Sequence, residues 1–80
     1  MKARVVVTLK KGVLDPQGKA IEGGLSSLGI EGVASVRQGK VFDVELNTRD
    51  PEQAKATLTS ACEKLLANTV IENFAIEILP

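Results

Sequence analysis

Apolar and polar residues alternate from residue 2 to residue 10, with Ala3, Val5, Val7 and Leu9 on one side and Lys2, Arg4, Thr8 and Lys10 on the other. A period of two predicts a strand with one buried face; Val6 is the one apolar residue on its polar side. The period then lengthens. Ala20, Ile21, Leu25 and Leu28 recur in helical steps and predict a helix over 16–28 with that stripe turned inward. Asp15 can accept a hydrogen bond from a free N–H at the helix start, Pro16 supplies a pre-set φ, and Gly29 closes the helix. Gly23-Gly24 falls inside it. Each Gly costs about 1 kcal/mol against Ala in a helix, which predicts either a weak, bending helix or a close approach by another backbone.

Residues 33–37 read as a short strand, Gln38-Gly39 as a tight turn, and 41–46 as the returning strand. Phe42, Val44 and Leu46 would face the core, and Asp43, Glu45 and Asn47 water. Asp50-Pro51 repeats the earlier start signal, and Gln53 follows Asp50 at capping-box spacing. The second helix is expected over 51–67, with Ala54, Leu58, Ala61, Cys62 and Leu65 as its apolar stripe. Asn68-Thr69 breaks it. The last strand is expected over 74–79, with Phe74, Ile76 and Ile78 on one side. Strand, helix, strand, strand, helix, strand with right-handed crossovers gives an α+β, ferredoxin-like βαββαβ domain over 1–80. Its two helices would lie on one face of an antiparallel sheet.

Composition adds a need for company. Eighty residues hide only roughly 60–65% of the unfolded surface, so the core is small. With Phe42 and Phe74 as the sole aromatics, that core must be aliphatic. The sheet face away from the helices would carry Val6, Thr8, Val41 and Val33 among charges, a mixture that suits a homo-oligomer contact. The last strand could pair edge to edge with a second copy, or strands could be exchanged.

Candidate chemistry is thin. Ten basic and ten acidic residues are scattered, leaving no electrostatic footprint for nucleic acid or an anionic membrane. The outward positions of the central strands offer no aromatic ring on which an RNA base could stack. There is no histidine, and Cys62 is the only cysteine, so no disulfide framework or Cys-x-x-Cys pair exists. Gly12 to Lys19 looks like a phosphate loop. It has five residues between its glycines instead of four, however, and Ala20 stands where a magnesium-binding hydroxyl belongs. Asp43 and Glu45 share a strand face, which reads as a wet surface rather than an acid–base pair. No apolar run is long enough for a signal segment or a membrane span, and the chain is expected to be cytoplasmic. Binding and assembly remain.

Val7-Thr8-Leu9-Lys10-Lys11-Gly12-Val13-Leu14-Asp15-Pro16-Gln17-Gly18-Lys19-Ala20 is the most distinctive block. With Leu28-Gly29, Val36-Arg37-Gln38-Gly39-Lys40 and Cys62-Glu63-Lys64-Leu65-Leu66-Ala67-Asn68-Thr69-Val70-Ile71-Glu72, it strongly resembles the PurS family. These are subunits of phosphoribosylformylglycinamidine (FGAM) synthase in purine biosynthesis, and the resemblance runs through nearly the whole chain. It implies a subunit without catalytic residues, a homodimer or dimer of dimers. Such a subunit would bridge a glutaminase subunit that releases ammonia and a large ATP-dependent amidating subunit, and would help shield the ammonia in transit. It implies no cofactor on this chain, while the complex uses ATP, magnesium and glutamine. Thr69 stands where members commonly have Pro, which predicts a less rigid turn there, and Gly23-Gly24 stands where larger residues are common.

On this reading Asp15, Gln17 and Lys19 at the first turn, Arg37 and Lys40 at the hairpin, and Asn68 after the second helix are the candidate partner contacts. Each has a plainer role open to it, as a helix cap, a solvated residue or a hairpin flank. The rival class is an amino-acid-sensing regulatory domain, which shares the strand–helix order and binds its ligand near the first strand-to-helix loop.

Overall fold

The computed structural model describes residues 1–80. Strand β1 (Lys2–Leu9) is central, with β2 (Gly39–Glu45) and β3 (Glu72–Leu79) antiparallel on either side. Register puts Val7 opposite Lys40 and Phe74, Val5 opposite Phe42 and Ile76, and Ala3 opposite Val44 and Ile78 on the inner face. Val41, Val6 and Ala75 form one row across the outer face, and Asp43, Arg4 and Glu77 form the next. The alternation read from the sequence is therefore the alternation of the sheet.

Helix α1 (Pro16–Ser27) and helix α2 (Pro51–Ala61) both start at an Asp-Pro. Ala54, Leu58 and Cys62 are buried and close the core with Ala3, Val5, Val7 and Ala67. Past Ala61 the helix widens into one π-type turn, Cys62–Leu66, in which Ala67 N–H reaches Cys62 C=O at 3.0 Å. The extra residue rotates the stripe. Leu65, expected inward, is 84% exposed, and Leu66 packs against the core in its place. The capping box is also relayed rather than direct. Thr48 Oγ1 accepts from Asp50 N–H at 3.1 Å and donates to Gln53 Oε1 at 2.9 Å, while the Asp50 carboxylate caps Glu52 N–H.

The ferredoxin-like class holds, with two local changes. Residues 31–38 form no ladder within the chain, so the sheet has three strands and the hairpin expected at Gln38-Gly39 is open. Gly39 instead pairs with Thr8 as the first residue of β2, and neither Gln38 nor Gly39 has the positive φ that a two-residue hairpin turn requires at its first or at both central positions. The second change concerns α1, of which only Gly18 is buried. Ala20, Ile21 and Leu28, expected to face a core, are exposed. The helix is continuous through Gly23-Gly24, and neither glycine has a neighbour within 4 Å of its would-be Cβ. Helix α1 and residues 29–38 thus form an arm. Its reach shows in the radius of gyration of 15.9 Å, against about 12 Å for a compact chain of this length.

Candidate functional site

The arm is joined to the sheet where β1 ends. Lys10 to Val13 make a turn closed by Val13 N–H on Lys10 C=O at 3.1 Å, with Gly12 supplying φ +89° at the third position. Asp15 follows as the N-cap of α1 and is 5% exposed. One carboxylate oxygen accepts Gly18 N–H at 2.9 Å and the other accepts Gln38 N–H at 2.7 Å. One turn along α1, Glu22 accepts Val36 N–H at 2.8 Å and pairs with Lys19 at 3.5 Å. Gly18 permits this closeness: a Cβ there would fall 2.6 Å from Asp15 Oδ2 and collide with the Val36 carbonyl. The far end of α1 closes on Gly29, at φ +77°, with Ile30 N–H on Leu25 C=O and Gly29 N–H on Ser26 C=O.

Around this junction the structure gathers five of the six candidate contacts. Asp15, Gln17 and Lys40 line one open notch of about 360 Å³ with Gln38, Gly39 and Glu72. Arg37 donates to the Lys10 carbonyl at 3.2 Å. Lys40 pairs with Glu72 at 3.5 Å, and the other Glu72 oxygen accepts Asn68 N–H at 2.7 Å. Lys19 stands one turn off, on the arm. Asn68 Oδ1 accepts Val70 N–H, and its carbonyl accepts Ile71 and Glu72 N–H. The turn beside Thr69 is therefore tied down by hydrogen bonds without a proline. Asp15 has no carboxylate oxygen free of these bonds, whereas Gln17, Lys19, Arg37 and Lys40 present exposed side chains. Glu22 and Glu72, which organise the junction, escaped the sequence reading because Val36 and Lys40, the partners that bind them into it, lie far along the chain.

The N–H groups of Gln38 and then Gly18 hold the Asp15 carboxyl below its ordinary range, helped by nearby Arg37. Val36 N–H does the same for Glu22, with Lys19 adding to it. A carboxyl with a lowered folded pKa leaves the unfolded chain binding more protons as acid is added. The stability it contributes is complete above the ordinary carboxylate range of about 4 and drains as pH falls through the folded values. The urea midpoint is therefore expected to be flat from pH 7 to 5 and to fall below about pH 4. Asp15→Ser should flatten that fall.

Fold and junction define a small ferredoxin-like α+β module with an outstretched helical arm. The family model for PurS, phosphoribosylformylglycinamidine (FGAM) synthase, matches residues 2–80. The PurS subunit from Synechocystis is 48% identical over 75 residues, covering 94% of this chain and 75% of that one. The Bacillus subtilis PurS structure superposes with a TM-score of 0.86 at 41% identity, covering 99% of this chain and 98% of the other. A chain of the PurLQS structure from Thermotoga maritima superposes at 0.89 with 32% identity, covering 98% and 95%. The chain belongs to the PurS family of FGAM synthase subunits in purine biosynthesis.

Proposed function

We propose that this chain is the non-catalytic assembly subunit of FGAM synthase, bridging the glutaminase subunit and the ATP-dependent amidating subunit and helping to shield ammonia between them. The observation that carries the reading is the end-to-end match to a chain of the PurLQS structure. The junction supports it with exposed Gln17, Arg37 and Lys40 around one notch, close to the Asn68 turn. Lys19, on the arm, is exposed and pairs with Glu22. ATP, magnesium and glutamine belong on this reading to the partner subunits. No helix is long and apolar enough to cross a membrane, in keeping with a cytoplasmic enzyme complex.

The same proposal includes a homodimer, or a dimer of dimers, and the arm supports it. A helix of 12 residues with three glycines is marginal alone, and Ile21, Leu28 and Ile30 on the arm are exposed. On the sheet, a groove between β2 and α2 is lined by Val44, Leu46, Leu58 and Ala61. A second copy's arm would fill that groove and receive the same cover in return, as a two-fold contact requires.

Reconstitution tests the role. Glutamine-dependent amidation by the glutaminase and large subunits is expected to fall at least tenfold when this chain is left out. Amidation fed by an ammonium salt should persist. Unchanged glutamine-dependent activity on omission would overturn the bridging role.

A further inference from the structure

We propose that Asp15 and Glu22 form a latch that keeps residues 36–38 in line with β2 instead of folding back upon it, and so commits the arm to a second copy of this chain. The inference rests on the dimer reading and deepens it.

The sequence around Gln38-Gly39 reads as a hairpin, yet the structure keeps it straight. Three contacts do this. Gln38 N–H is held by Asp15 at 2.7 Å, and Val36 N–H by Glu22 at 2.8 Å. Along extended chain, N–H groups two residues apart point to the same edge. The two carboxylates therefore grip one edge of this segment much as a neighbouring strand would. The Arg37 side chain anchors the residue between them, on the Lys10 carbonyl.

Folding back would turn the chain at Gln38-Gly39 and pull Gln38 off Asp15. The same carboxylate caps α1 through Gly18 N–H, so the helix start and the straight segment are set together. Gly39 adds a second restraint: its would-be Cβ lies 2.7 Å from the Val7 carbonyl, flat against β1. With the latch closed, residues 33–37 cannot become a fourth strand beside their own β2. Nor can α1 swing over its own groove. The apolar edge of the arm must be covered from another chain.

The test uses the full chain with Asp15→Ser and Glu22→Ala, singly and together. Serine keeps an oxygen able to cap Gly18 N–H but is too short, with one oxygen, to hold Gln38 as well. Glu22→Gln retains a carbonyl acceptor for Val36 and serves as the conservative variant; Lys19→Ala removes the neighbouring charge alone. Amide hydrogen exchange at Val36 and Gln38 and the dimer dissociation constant by sedimentation are the readouts. The double variant is expected to exchange at least tenfold faster at both amides and to dissociate at least tenfold more readily, giving a more compact monomer by small-angle scattering. Glu22→Gln and Lys19→Ala should stay near wild type. If the double variant fails to fold, Glu22→Ala must show the same direction at Val36. Dimers of unchanged strength despite deprotected amides, or amides unchanged by the substitutions, would overturn the latch alone. A wild-type chain monomeric at every concentration would overturn the dimer reading and the latch with it.

Discussion

Leu58→Ala is expected to lower the thermal midpoint by at least about 10 °C at fixed protein concentration. Leu58 is 2% exposed and packs in the cluster of Ala3, Val5, Val7, Cys62 and Ala67. Truncating a buried leucine costs about 2–5 kcal/mol, from lost transfer energy and the cavity left behind. In a domain of this size each kcal/mol moves the midpoint by roughly 4–8 °C. Just nine residues of the chain are buried, so no second core exists to absorb the loss. Calorimetry or far-UV circular dichroism checks it. A drop under about 3 °C would mean that α2 does not close the core on this side chain.

The second large effect is one of opposite signs at two glycines in the same helix. Gly18→Ala is expected to destabilise by roughly 1–3 kcal/mol, because the new methyl would press on the hydrogen-bonded Asp15 carboxylate and on the carbonyl of Val36, whose own N–H is held by Glu22. Gly23→Ala is expected to stabilise by about 0.5–1 kcal/mol, since nothing lies within 4 Å of its Cβ position and helix propensity alone acts. Parallel urea titrations read both. Two stabilising alanines would show that residues 36–38 do not lie against the first turn of α1.

The strands and both helix starts were legible because they are local. Alternation over β1 and β2 placed their apolar inner-face residues correctly, and Asp15-Pro16 and Asp50-Pro51 each mark a capped helix start. The inner face of α2 was read correctly as far as Cys62. It failed at Leu65, because a π-type turn leaves no mark in apolar spacing until the phase has already slipped. The open hairpin was missed for a different reason. Gln38-Gly39 has the local chemistry of a turn, and a contact 23 residues away, from Asp15, overrides it. The junction was half visible on the same grounds: its loop residues stood out, whereas Glu22 on Val36 and Glu72 on Lys40 act across distances that no short window contains. The stripe of α1 was read as a helix stripe and is one. What sequence period cannot say is which chain will cover it.

The widened turn at Cys62–Leu66 also bears on how this stretch can change length. A backbone loop with one residue to spare can shed it and relax into ordinary helical winding, with the rest of the chain undisturbed. Shortening by one would leave Ala54 and Leu58 seated while swinging the protruding Leu65 knob off its present bearing. The bulge thus acts as an adjustable collar, letting mutation re-aim a single outward leucine while the packed interior stays as it is.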